Sequence, residues 1–325
     1  MKITILSGGV GGSRFIEGIL RTKSPADEVT VIANTADDIS LFGMRICPDL
    51  DTVMYTLGDG IDRERGWGRT DESWNAKEEL GAYGIDQAWF GLGDRDIATH
   101  LVRTMRLQEG RTLSEVTAEL CERWQPGIRL LPMSDDPVET HIGIDRDGRR
   151  EVIHFQEYWI RLRAKVPVAE VILQGIEGAR PAPGVADAIT QADLVILPPS
   201  NPIVSIGPIA AVEGIRTAIA TTPAPVVGVS PIIGPGAVRG MADQLLAGLG
   251  IEISAYGVAA HHGARAAGGL LDGWLVDTVD EHRLTAIKDL GMSARAVPLW
   301  MTDKQTTNQL ARDTVELARS LQGTR

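Results

Sequence analysis

The sequence predicts an α/β protein with a Rossmann-like, three-layer α/β/α core, a mostly parallel sheet and a smaller mixed insertion. Three observations carry this: short β-branched apolar runs recur, most stop at a polar turn rich in Gly or Pro, and segments of helical period separate them. Ile3-Thr4-Ile5-Leu6 is the first such run and stops at Ser7-Gly8-Gly9-Val10-Gly11-Gly12. Arg14-Phe15-Ile16-Glu17-Gly18-Ile19-Leu20 follows with apolar residues at helical spacing, and Glu28-Val29-Thr30-Val31-Ile32-Ala33 makes a second buried strand ending in Asn34-Thr35-Ala36-Asp37-Asp38. The opening is therefore a βαβ unit.

The stretch from about 60 to 170 reads differently. Helical segments are expected at 73–83, 96–107 and 113–124, then alternating runs, Glu139-Thr140-His141-Ile142-Gly143-Ile144 and Arg150-Glu151-Val152-Ile153-His154-Phe155, that suit a small antiparallel element. Residues 1–60 and 170–325 are accordingly read as the core and 61–169 as an inserted helical and antiparallel subdomain capping the sheet edge. Asp193-Leu194-Val195-Ile196-Leu197 runs into Pro198-Pro199-Ser200-Asn201-Pro202, and Pro225-Val226-Val227-Gly228-Val229 into Ser230-Pro231-Ile232-Ile233-Gly234. A last strand is expected at Ala296-Val297-Pro298-Leu299-Trp300-Met301, before a C-terminal helix from about 305 to 321. Five strand ends would then share one rim, where open α/β sheets hold their ligands.

Composition narrows the function. The 43 acidic and 32 basic residues leave a net charge of −11 over 325 residues, with no basic run, which argues against a general grip on nucleic acid or an anionic membrane. No apolar stretch reaches membrane-spanning length, and the first residues pass straight into the glycine loop without the pattern of a secretory signal. Cys47 and Cys121 are too few for a disulfide framework or a thiolate zinc site, so a cytoplasmic protein is expected.

Three constellations could carry chemistry. Gly8, Gly9, Gly11 and Gly12 precede a helix, where bare backbone can face an anion; the loop lacks the Lys-Ser/Thr of a P-loop and breaks the G-x-G-x-x-G frame at Arg14. A tight turn with nothing bound is the simpler alternative. Asp37 and Asp38 end the second strand, and Asp49 and Asp51 flank Leu50; carboxylates beside a phosphate loop suit a divalent cation such as Mg²⁺, whereas Asp49 or Asp51 could instead cap a helix beginning near Thr52. Ser200, Asn201 and Ser205 offer neutral donors for phosphate oxygens or a base edge, unless Asn201 bonds its own backbone. Gly91-Leu92-Gly93-Asp94-Arg95-Asp96 either caps the following helix or sets Asp94 and Arg95 in a cleft. The histidines show no metal spacing, and no G-x-S-x-G elbow is present.

The ordered set of Met1 through Gly12, Asp37-Asp38, Ile46-Cys47-Pro48-Asp49-Leu50-Asp51-Thr52 with Tyr55-Thr56-Leu57, Gly93-Asp94-Arg95-Asp96, Leu131-Pro132-Met133-Ser134-Asp135 and Pro199 through Pro208 resembles the 2-phospho-L-lactate transferase family of coenzyme F420 biosynthesis. The likeness runs almost end to end. Trp74-Asn75-Ala76-Lys77-Glu78-Glu79-Leu80 and Arg123-Trp124-Gln125-Pro126-Gly127 look like its bacterial branch, which uses an enolpyruvyl donor.

The resemblance implies a Mg²⁺-dependent enzyme, active as a homodimer. It moves a phosphoenolpyruvate or 2-phospho-L-lactate unit from a guanosine-diphosphate-linked donor to 7,8-didemethyl-8-hydroxy-5-deazariboflavin (Fo), giving dehydro coenzyme F420-0 or F420-0 and releasing GMP. Carried over by motif, Asp51 contacts the deazaflavin and, with Asp37, forms the catalytic and metal-binding pair. Gly91 and Asp94 complete the acceptor side, Gly91 standing where some relatives carry Arg, and the insertion covers that site. Gly8, Gly9, Gly11, Gly12, Ser200, Asn201 and Ser205 would serve the donor phosphates. A non-catalytic nucleotide-sugar-binding regulator of the same superfamily is the competing expectation, and an NAD-dependent oxidoreductase is disfavoured by the broken fingerprint.

Overall fold

The inner strands of the central sheet are largely Val/Ile/Leu runs because both of their faces are covered. The computed structural model describes residues 1–146 and 148–322. In chain order its strands are β1 (Lys2–Ser7), β2 (Glu28–Ala33), the hairpin β3 (Ile39–Leu41) and β4 (Met44–Ile46), β5 (Arg129–Pro132), β6 (Glu139–Arg146), β7 (Arg149–His154), β8 (Val168–Gln174), β9 (Leu194–Leu197), β10 (Val226–Val229), the small hairpin β11 (Ile232–Ile233) and β12 (Gly236–Ala237), β13 (Gly273–Val276) and β14 (Ser293–Ala296). Seven of them form one sheet in the order β14-β13-β10-β9-β1-β2-β5, and every pairing in it is parallel.

Side chains alternate between two cores. Ile3, Ile5, Val29, Val31, Leu194 and Ile196 face the helices Val10–Thr22 and Lys304–Gln322, joining Phe15, Ile16, Ile19, Leu310 and Leu317. Leu6, Ile32, Val195 and Leu197 face the other way, onto Val185, Ile189, Ile215, Ile219, Leu245 and Val258. The predicted α/β three-layer class holds.

Particular elements differ from expectation. The last strand is Ser293–Ala296 rather than 296–301: Val297 N still donates to Val276 O at 2.9 Å, but Pro298 has no N–H for the ladder and Leu299 N turns to Asp277 Oδ2 at 2.8 Å. As an edge strand, β14 keeps one side open and does not read as an apolar run. Two further strands, β5 and β13, bring the shared rim to seven strand ends; each is only four residues long.

The stretch 61–169 contains the helices Asn75–Ala82, Asp94–Gln108 and Leu113–Trp124, the last opened by a capping box between Thr112 and Glu115. The expected antiparallel element is the sheet β7-β6-β8, with Ile142 opposite Ile153. The same stretch includes β5, which pairs with β2 in the main sheet. No single helix among the described residues is long and apolar enough to cross a membrane.

Candidate active site

The rim where β1, β2 and β9 end gathers three polar turns. After β1, Gly8 N donates to Ser200 Oγ at 3.1 Å, Gly9 N–H donates to the Asp49 carboxylate, and Ser13 N closes the first helical turn on Gly9 O at 2.9 Å. The amides of Val10, Gly11 and Gly12 precede that bond and have no intrahelical acceptor, so they and the helix dipole form the anion-facing part of the loop.

Close packing explains the glycines. A Cβ on Gly8 would fall 2.3 Å from Ser205 Oγ, one on Gly9 2.7 Å from Asp49 Oδ1, one on Gly11 2.4 Å from Pro199 O, and one on Gly12 1.9 Å from Ser7 Oγ. Ser200 and Ser205 thus pack directly on the glycine loop. Asn201 Oδ1 accepts from Ile203 N at 2.9 Å and Val204 N at 3.2 Å, so this side-chain oxygen caps its own turn, Pro202–Ile206.

The acidic residues separate into two groups. Asn34, fully buried at the end of β2, holds the first: its Nδ2 donates to Asp49 Oδ2 at 3.0 Å and to Val204 O at 3.1 Å, while its Oδ1 accepts from Ala36 N at 3.0 Å. Asp37 lies beside Asp49. Burial and then the Asp49 charge push the Asp37 carboxyl well above the usual range, burial raises Asp49 as well, and Asp37 Oδ1 is buried with no hydrogen-bond partner. Neighbouring Asp38 is raised to about 7 by burial although Arg45 Nη2 sits 3.2 Å away. The end of β7 and the residues just after it latch this turn: Gln156 Nε2 donates to Asp37 O and His154 Nε2 to Asp38 O, both at 3.1 Å.

Asp51 belongs to the second group. Its helix starts at Pro48, with Cys47 as N-cap, so neither Asp49 nor Asp51 is the N-cap; Asp49 reaches back to the glycine loop, and Asp51 turns to Arg103. Arg103 Nη1 donates to Asp51 Oδ2 at 3.1 Å, and Nη2 donates to Oδ1. Burial opposes the Arg103 charge, but Asp51, with Cys47 and Tyr55, together outweigh it and raise the pKa. Of the two residues expected to share a metal, Asp37 therefore has Asp49 as its acidic neighbour, while both Asp51 oxygens are engaged by a guanidinium.

Asp94 is in the first turn of Asp94–Gln108 but caps a different helix, accepting from Ser73 Oγ at 2.7 Å, Asn75 Nδ2 at 2.7 Å, Asn75 N at 3.1 Å and Ala76 N at 3.0 Å. The Ser73 hydroxyl and the Ala76 amide hold its pKa down to about 2. Gly91 faces Trp74, Trp67 and Lys77, which a Cβ would meet at 3.6 to 3.7 Å, and Arg65 lies 4.8 Å over the Trp74 ring. Sequence reasoning passed over Asn34 and Arg103 as individual residues. The second had a signal: Asp96, His100 and Arg103 recur at i, i+4 and i+7, one face of a helix, and all three are buried.

Fold and rim together define a Rossmann-like α/β protein that sets a glycine loop against the acid pair of buried Asp37 and half-buried Asp49. The profile of "2-phospho-L-lactate transferase CofD" matches residues 3–316, and the chain belongs to that family. It is 58% identical over 318 residues to a "Phosphoenolpyruvate transferase" of Streptomyces coelicolor, covering 98% of each chain. It is 53% identical over 328 residues to a protein of the same name from Mycolicibacterium smegmatis, covering 98% of this chain and 99% of that one. The resemblance read from the motifs, with its bacterial branch, is borne out. Among solved structures, a UPF0052-family protein of Bacillus halodurans superposes with a TM-score of 0.60 at 16% identity, covering 96% of this chain and 99% of the other, a likeness of fold alone.

Proposed function

We propose that this enzyme transfers a phosphoenolpyruvate unit from a guanosine-diphosphate-linked donor to the terminal ribityl hydroxyl of Fo, releasing GMP and forming dehydro coenzyme F420-0. The observation that carries the reading is the full-length match to relatives named for phosphoenolpyruvate transfer. In the reaction the acceptor oxygen forms a bond to the phosphorus carrying the three-carbon acid, the bond from that phosphorus to the GMP oxygen breaks with its electron pair passing to GMP, and the hydroxyl proton passes to water.

The chain's own groups suit these tasks. The amides of Val10, Gly11 and Gly12 bind the donor's phosphate oxygens at the helix N-terminus. Asp51 accepts a hydrogen bond from the attacking hydroxyl and orients it. The residues present also fit Mg²⁺. Among the described residues no group of three His, Cys, Asp or Glu side chains is placed to hold a metal ion by itself, but a hard cation that keeps waters and substrate phosphates needs only one or two carboxylates. Asp37, with its unpartnered buried oxygen, and Asp49 would hold it. Bound there, the ion would neutralise charge on the diphosphate. A homodimer in the cytoplasm completes the proposal; Cys47 and Cys121 are both free thiols.

The test is turnover with Fo, Mg²⁺ and, separately, the enolpyruvyl, lactyl and glyceryl guanosine diphosphates, reading GMP release and product mass. Mg²⁺-dependent product from the enolpyruvyl donor is expected. No product from any donor, with folded protein, would sink the transferase reading in favour of a nucleotide-sugar-binding regulator.

A further inference from the structure

Beneath the acceptor side lies more buried charge than the reaction as described requires. Arg103 is 1% exposed and Asp51 4%, and the guanidinium fork spans both carboxylate oxygens. Arg103 Nη1 also donates to His100 Nδ1 at 3.2 Å. That bond leaves His100 Nε2 to face Asp96 Oδ2 at 3.4 Å, and Asp96 Oδ1 accepts from Tyr55 OH at 2.7 Å. Tyr55 stands one helical turn beyond Asp51 on the same helix, Pro48–Leu57. The contacts therefore close a ring: from Asp51 across to Asp94–Gln108, along it through His100 and Asp96, and back through Tyr55. Such a ring is a poor stability device, because desolvating two charges cancels most of their attraction and apolar side chains of similar volume would stabilise as well. It does fix one carboxylate in position.

We infer that Arg103 is a positioning residue for the acceptor, holding Asp51 so that its remaining lone pairs accept a hydrogen bond from the acceptor's hydroxyl. This rests on the reading that Asp51 contacts the acceptor. Arg103 itself touches no substrate and acts through Asp51; His100, Asp96 and Tyr55 brace it.

The experiment is a double-mutant cycle on the full-length enzyme with Arg103→Met, Asp51→Asn and their combination. The readouts are KM for acceptor and for donor, kcat, and Fo affinity by fluorescence titration. Losing charge-assisted hydrogen bonds that place a ligand-contacting group predicts a rise of about 10- to 100-fold in acceptor KM and Kd. Donor KM should stay within about twofold, and Arg103→Met should add almost nothing once Asp51 is Asn. Arg103→Lys, which keeps the charge but not the fork, should restore part of the loss. Arg103 penalties that persist in full in the Asp51→Asn background, or that weaken donor and acceptor alike, overturn the inference. If Arg103→Met does not fold, the Arg103→Lys cycle decides by the same criterion. A wild-type enzyme that neither binds nor turns over Fo removes the reading beneath the inference, an outcome distinct from additivity in an active enzyme.

Discussion

Replacing Asn34 by Ala is the most informative single change in the rim. The amide makes three hydrogen bonds from a fully buried position: to the Val204 carbonyl, from the Ala36 N–H, and to the Asp49 carboxylate. The two neutral bonds are worth about 1 kcal/mol each and the charged one about 1.5–3. Asn34→Ala should therefore cost about 3.5–5 kcal/mol, a large share of the roughly 5–15 kcal/mol that separates a folded domain from its unfolded chain. Urea unfolding at fixed m measures the cost as a lowered midpoint. Asn34→Asp separates hydrogen bonding from packing: it keeps the acceptor for Ala36 N but turns a carboxylate toward Asp49. That variant should be as damaged as Asn34→Ala near neutral pH and should recover as the pH falls, when a protonated carboxyl can donate again. A loss below about 1 kcal/mol for Asn34→Ala, or an Asn34→Asp variant indifferent to pH, would refute the assignment of Asn34 as the hub of the acid turn.

Other perturbations probe separate claims. Gly11→Ala should lose about 1–3 kcal/mol, because its Cβ meets the Pro199 backbone carbonyl; Gly81→Ala, in open space within a helix, should be neutral or stabilising by up to about 1 kcal/mol. Paired denaturation curves check both. His262 is buried against Trp274, and burial lowers its pKa from 6.5 to about 3. The unfolded chain binds that proton first, so this contribution to stability is complete above about pH 6.5 and is lost as the pH falls toward 3; His262→Phe should flatten the slope between urea midpoints taken at neutral and acidic pH. Asp37→Ala and Asp49→Ala should each raise the Mg²⁺ concentration for half-maximal turnover, and full turnover of Asp37→Ala at limiting Mg²⁺ would remove the metal assignment.

The strands that were legible in the sequence are those buried on both faces. Ile3-Thr4-Ile5-Leu6, Val29-Thr30-Val31-Ile32 and Leu194-Val195-Ile196-Leu197 carry β-branched or aliphatic residues toward each core in turn. An edge strand such as Ser293-Ala294-Arg295-Ala296 has no such signature, and β5 hides after a helical stretch. The place of the site was legible too, because parallel crossovers deliver every strand's C-terminal end to one rim. Partnerships across the rim were not. Asp49 meets Asp37 only because Asn34 and the glycine loop hold it there, and Asp51 meets Arg103 across residues whose separation in sequence carries no sign of contact.

One topological feature bears on how such an enzyme diversifies. Adjacent strands β2 and β5 are joined by everything from Asn34 to Ile128, including the acid helix, the tryptophans around Gly91 and the helix that carries Arg103. The entropy of closing a loop grows only with the logarithm of its length, so this excursion costs on the order of 2 kcal/mol more than a short connection would. The glycine and Ser-Asn-Pro turns that follow β1 and β9 lie outside the excursion, and Asp49 reaches out of it to the first of them. Sequence change can therefore remodel the acid helix and the tryptophan face around Gly91 while the chain of the β1 and β9 turns stays as it is.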